Sequence, residues 1–282
     1  MEIWNQIVSI LPFDWAQPGQ MMFMKIALLA VILISPVFGL LGTMVVNNKM
    51  AFFSDALGHS AFAGIAIGAL LGLVSPLWAA VIFSLLFALG ITFVKHRSRM
   101  HTDTVIGVFS STAIALGIAI STIGGKSFAK FTKYLIGDIL SITPGEIGII
   151  AIVLVCVIIL WVFVFNKLAV ISVDASLAGS KGIKVFWVEA VFTAAVAMVV
   201  TLSISWIGLL VINSFVVLPA AAARNISKNM RQYHLYSVLF ALFSGIAGLI
   251  GSYYVEIASG AAIVLVSALI FFITFFFRNR GK

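Results

Sequence analysis

Charge is what this chain has least of. Only 9% of its 282 residues are Asp, Glu, Lys or Arg, against 62% hydrophobic, and that balance excludes an ordinary water-soluble domain. There is one cysteine, Cys156, and it lies in an apolar run, so an intramolecular disulfide and a thiolate metal cluster are both excluded. No GxxxxGK[ST] stretch occurs, and any ATP chemistry therefore belongs to another chain. No HExxH motif or second histidine pair is present to build a hydrolytic metal centre. The first twenty residues lack the basic start of a cleavable signal and carry Glu2, Asp14, two prolines and two tryptophans. Residues 1–22 are expected to be an interfacial segment, with Trp4 and Trp15 at headgroup level.

What is abundant is long apolar sequence. Ile26–Val46, Leu77–Val94, Thr104–Ile123, Ile147–Phe165 and Ile257–Phe277 carry no charge. Met50–Leu73 carries only Asp55 and His59, and Tyr233–Val255 only His234. Each is about the length that crosses a bilayer as a helix. Val185–Ala223 spans 39 residues with Glu189 as its sole charge. As one helix it would reach roughly 58 Å, too long for one crossing, so a fold-back is expected near Ser203–Gly208. The fold class is thus an all-α polytopic membrane protein of eight to nine transmembrane helices in a single domain. Nine is preferred, and eight applies if one short segment is re-entrant.

Charge placement supports nine. With the Lys95–Arg99 loop in the cytoplasm and strict alternation, 13 of the 17 Lys and Arg residues fall inside, and Lys25, Lys126, Lys130 and Lys133 remain outside. The expected orientation has the N-terminus outside and the C-terminus in the cytoplasm. This distribution also explains the net charge of +8 without a nucleic-acid partner.

Two connections depart from simple loops. In residues 124–144, Lys126, Lys130 and Lys133 alternate with Phe128, Phe131, Tyr134 and Leu135 at helical spacing, which reads as an outer amphipathic or re-entrant helix. In residues 166–184, Asp174 is placed to cap a short helix that the following glycines end, a structured cytoplasmic knob.

The most informative stretch is Ser54-Asp55-Ala56-Leu57-Gly58-His59-Ser60. Asp55 and His59 stand one helical turn apart on one face, about 15 Å past Lys49 along the helix, near mid-bilayer. An acid and an imidazole at that depth are costly and usually line a pathway or bind something. Their oxygen and nitrogen donors suit a divalent transition metal; a structural pair satisfied by Ser54, Ser60 or backbone is the alternative. Two donors do not complete a shell, whereas a two-fold dimer would supply four. Gly64, Gly68 and Gly72 form a small-residue ridge for close helix packing. Glu256, at the outer end of its run, is either a solvated interfacial acid or one that draws a cation inward. Glu189 and His234 are expected to be solvated or paired with Lys184 or Arg231, and His96 and His101 to lie in an exposed loop.

The stretch NNKMAFFSDALGHSAFAGIAIGALLG, with YLIGDILSITPGEI, VDASLAGSKGI, IGLLVINSFVVLPAAAAR and SYYVEIASGAAIVLVSALIFF, resembles the membrane permeases of bacterial manganese/zinc/iron ABC importers. The resemblance covers most of the chain from about Phe38. It implies a homodimeric permease in the bacterial cytoplasmic membrane, with two cytoplasmic ATP-binding subunits and an extracytoplasmic metal-binding lipoprotein. It implies transport of Mn²⁺, Zn²⁺ or Fe²⁺ with no permanently bound cofactor, and no enzymatic activity in this chain. Asp55, His59 and Glu256 become the metal residues. Asp174, Ala175, Ser176, Gly179 and Gly182 fall in the loop that forms the coupling helix against the ATPase. This chain has Ser176 where an acid is often found and Glu256 where aspartate is frequent. Two rivals are a stand-alone secondary transporter or channel, which would want more intramembrane acids, and an intramembrane metalloenzyme, which would want a general base beside Asp55.

Overall fold

The computed structural model describes residues 4, 6, 8, 13–17, 21–73, 75–98, 100–123 and 138–278. Among these, ten α-helices occur: α1 Met22–Asn47, α2 Phe53–Leu70, α3 Pro76–Arg97, α4 Thr102–Ile123, α5 Pro144–Val173, α6 Ala175–Ser180, α7 Val185–Ile207, α8 Leu209–Ile226, α9 Met230–Val255 and α10 Ser259–Phe276. Short 3₁₀ turns occupy Asp14–Ala16 and Ile139–Ser141, and no strand is found among the described residues. Eight of the helices (α1 to α5, α7, α9 and α10) are long and apolar enough to cross a membrane, while the apolar Val211–Ile226 part of α8 is shorter.

The long run from Val185 breaks where its glycine is. α7 ends at Ile207, and Gly208 turns the chain with φ of 84°, a conformation that side chains with a Cβ resist. α8 then runs back through the bundle. Beside its start, Trp206 Nε1 donates to Glu146 Oε1 at 3.0 Å, at the head of α5. At its far end, Arg224 donates to Asn47 and Asn225 to Thr274, at the ends of α1 and α10. Those contacts carry α8 from one end of the bundle to the other, so among the described residues nine helices run between the two ends.

Two helix groups make the bundle. α2 packs against α3 and α4, and α3 continues onto α7; α8 packs among α1, α9 and α10. Glycines set the spacing. A Cβ on Gly64 would lie 2.5 Å from the Ala80 backbone, and one on Gly68 would lie 3.0 Å from Pro76 Cα, so α2 and α3 touch almost backbone to backbone. Gly42 of α1 faces the Val216 carbonyl of α8 just as closely. Gly72 is a correction to the expected ridge. It lies past the end of α2 with φ of 71° and nothing within 4 Å of its Cβ position, so it serves the turn and not the packing.

The N-terminal segment packs inward. Trp15 is fully buried and stacks on Phe13 at 5.4 Å, and Phe13 reaches Tyr254 at the end of α9. Trp4 Nε1 donates to the Lys25 carbonyl, and the buried Lys25 Nζ donates to the Gln17 carbonyl. These side chains cover the start of α1, so Trp15 is a core residue and not a headgroup anchor. The expected amphipathic helix falls mostly on residues 124–137, outside the described residues. Its last part holds the Ile139–Ser141 turn, capped by Asp138, and then the start of α5.

Candidate transport site and coupling loop

The polar turn of α2 faces the first turns of α8. Asp55 Oδ2 lies 3.4 Å from His59 Nε2 across the i, i+4 step. Asp55 Oδ1 accepts from Asn213 Nδ2 at 2.7 Å. The two helices can come this close because Gly58, between the two site residues, is where Leu209 of α8 lies; a Cβ there would collide with the Leu209 side chain. The Asn213 amide thus holds one carboxylate oxygen and leaves the other turned toward the imidazole. The Asp55 side chain remains 45% exposed and that of His59 26%, while Ser54 Oγ and Asn213 Oδ1 are buried without a hydrogen-bond partner. The pair is open on one side, with one oxygen and one nitrogen donor facing the same space.

No third His, Cys, Asp or Glu joins the pair, and no group of three or more that could hold a metal occurs among the described residues. Glu256 is therefore not brought to Asp55 and His59 within one chain. It caps the end of α9 in a left-handed conformation with φ of 55° and is exposed, because the chain must turn sharply there into α10. Asn213 is the site residue that reading the sequence missed. A lone Asn five residues after the Gly208 break, inside an apolar run, was the available signal.

A second polar cluster lies at the C-terminal end of α3. Glu189 accepts from Lys95 Nζ at 3.0 and 3.1 Å and lies 3.0 Å from His96 Nε2. Glu189 is not solvated or paired with Lys184 or Arg231, and His96 is not in a loop: α3 continues through Arg97 and brings both basic groups onto α7. His234 is likewise held within the bundle. Its Nδ1 lies 2.8 Å from Thr43 Oγ1, and its ring packs edge-on against Trp161 and Phe165. His101 is exposed.

The loop after α5 is a structured knob. Asp174 Oδ1 accepts from the Ser176 and Leu177 amides at 2.7 and 3.1 Å, which starts α6, a six-residue helix. Ala178 is buried, while Ala175, Ser176, Leu177 and Gly179 are exposed. Gly182 closes the turn at φ of 76°, and the space around Gly179 and Gly182 is open. Asn47 donates to Ser172 Oγ at 2.6 Å, tying the knob's root to the end of α1, just before the turn into α2.

The model of the ABC 3 transport family matches residues 20–278. The chain belongs to that family. As an ABC 3 transport protein it is 30% identical over 254 residues to the high-affinity zinc uptake system membrane protein ZnuB of Haemophilus influenzae, covering 90% of this chain and 97% of the relative. It is also 30% identical over 261 residues to the manganese transport system membrane protein MntC of Listeria monocytogenes, covering 93% and 92%. Among solved structures, PsaBC from Streptococcus pneumoniae in complex with Fab is similar with a TM-score of 0.78 and 28% identity, over 99% of this chain and 97% of that one. As a family member, the chain is a multi-pass membrane permease of an ABC transporter.

Proposed function

We propose that this permease moves a divalent transition metal, zinc or manganese as for its relatives and iron by the same donor chemistry, inward through a path that passes Asp55 and His59. The observation that carries the proposal is the half-open Asp55–His59 pair, held by Asn213 where α2 meets α8. A carboxylate oxygen and an imidazole nitrogen in a low-dielectric setting attract a dication and suit borderline metals, whereas softer Cu(I) prefers thiolate and thioether. Two donors from one chain are half of a tetrahedral shell, which supports a homodimer whose two-fold axis supplies the other half. Glu256, at the outer mouth, would attract the ion without binding it in the central site.

ATP hydrolysis would reside in cytoplasmic subunits that dock on α6 through Asp174, Ala175, Ser176, Gly179 and Gly182, and an extracytoplasmic metal-binding lipoprotein would deliver the ion. This arrangement agrees with an N-terminus outside and a C-terminus in the cytoplasm, with residues 1–22 and 124–144 at the outer interface. The space around Gly179 makes the docking role testable without damage to the fold. Gly179→Trp should leave the amount of membrane-inserted protein unchanged and reduce uptake to near background. Full uptake with a normal ATPase complex would sink the assignment.

The functional test is metal accumulation in cells lacking the protein, with manganese, iron, zinc, cobalt and copper measured in the same samples. Selective loss of one or two of the first three, restored by the wild-type chain, is the expected result. Unchanged levels of all three under metal limitation would refute the reading.

A further inference from the structure

A second ligand site lies well away from the transport turn, where the inner ends of α5 and α7 flank the turn after α6. A groove of about 580 Å³ opens there, lined at one end by Lys167, Lys181 and Lys184 and at the other by Val164, Trp187 and Val191. None of the three lysines has a carboxylate partner among the described residues. The nearest acids in sequence are engaged elsewhere: Asp174 caps α6, and Glu189 is paired with Lys95 and His96. The backbone amides of Lys181, Gly182 and Ile183 bond carbonyls within the turn, so the lysine side chains remain the free donors.

The two ends differ in depth. Val191 lies seven residues beyond Lys184 on α7, roughly 10 Å further along the helix, and Val164 is about one turn from Lys167 in the same direction. The cationic end is thus at a membrane face and the apolar end within the hydrocarbon. Trp187, 63% exposed, and Val191, 47% exposed, leave the apolar end open toward the bilayer. A soluble anion would match only the lysines, and an acyl chain alone only the valines.

We propose that this groove binds an anionic phospholipid, its phosphate among Lys167, Lys181 and Lys184 and one acyl chain along Trp187 and Val191. Charge complementarity and the amphipathic profile both select it, because basic pockets between spans at the cytoplasmic side suit acidic headgroups. Lys181 directly follows α6, so an occupied groove braces the knob that leads into α7. The proposal does not depend on the metal reading.

The test titrates phosphatidylglycerol brominated on its acyl chains into the detergent-purified full chain and follows tryptophan quenching. The Trp187 part is isolated by difference with Trp187→Phe. Quenching should require on the order of a hundredfold less phosphatidylglycerol than equally brominated phosphatidylcholine. Each Lys→Gln change should weaken it about fivefold, and Lys167→Gln/Lys181→Gln/Lys184→Gln on the order of a hundredfold, to the phosphatidylcholine level. Val191→Trp, which fills the apolar end with the lysines intact, should also weaken it. If the triple variant fails to insert, Lys184→Gln and Val191→Trp alone decide. Equal quenching by the two lipids in the wild type, or unchanged quenching in the lysine variants, overturns the proposal. Full displacement by inorganic phosphate with no effect of Val191→Trp assigns the lysines to a free anion and overturns it. Loss of a co-purifying ATPase subunit with unchanged lipid quenching makes the face a protein-docking surface and overturns it too.

Discussion

The bundle holds two polar clusters built from similar residues, and they are finished differently. At Lys95, Glu189 and His96 the acid is nearly enclosed, its side chain 9% exposed, and both oxygens are engaged by basic groups from one neighbouring helix. At Asp55, His59 and Asn213 the acid is 45% exposed, one oxygen is held by an amide, and the other lies 3.4 Å from an imidazole. A cluster with its charges matched has its electrostatic work done and serves to hold α3 against α7. A cluster left with an acid and an imidazole facing open space can still take a positive charge. Exposure and leftover valence separate the two, because the residue types alone do not.

Substitutions at both clusters should widen that contrast. The largest effect is expected at the open one. Asp55→Asn keeps the hydrogen bond from Asn213 but removes the charge that offsets a dication, and His59→Ala removes the nitrogen donor. Either should reduce metal uptake at least about tenfold, and the double variant should be scarcely worse, since both act on one ion. Immunoblots of membranes should show normal amounts of protein. A well-folded double variant that still supports uptake would end the distinction, as would uptake falling only in step with protein level.

The closed cluster should respond in the opposite sense. Glu189→Ala leaves Lys95 half-buried without its partner and should destabilise the protein by about 3 kcal/mol, read as less membrane protein and a lower unfolding temperature in detergent. Uptake per folded molecule should stay close to wild type. Lys95→Met with Glu189→Leu should recover most of the stability, because a matched apolar pair replaces a matched ionic one. Normal stability in Glu189→Ala would show that the cluster is not structural.

The smallest effect is expected at Asn213, which touches the acid without offering it charge. Asn213→Ala should raise the KM for metal about fivefold with a smaller change in maximal rate, since a hydrogen bond to a partly exposed carboxylate is worth about 1 kcal/mol. Asn213→Gln, which keeps the amide, should restore part of the loss. A change in protein amount alone would make Asn213 a packing residue.

Composition and spacing by themselves determined a good deal here. Apolar runs of bilayer length dictate helices, because the hydrocarbon leaves no other way to satisfy the backbone. The glycine at 208 marked the break in the longest run, because an over-long apolar helix must fold back and glycine accepts the turn. The Asp55–His59 pairing followed from the i, i+4 period alone, and the capped start of α6 from Asp174 before a short run ended by glycine. Tertiary structure decided what depends on neighbours distant in the chain. It brought Asn213 to Asp55 across 158 positions and Glu189 to Lys95 across 94. It drew Trp15 into the core, left Gly72 in a turn where periodicity put it on a packing ridge, and kept Glu256 out of the central pair. Local spacing reports which groups share a face of one helix; which face meets which is settled only when whole helices pack, and there the partners of every buried charge are chosen.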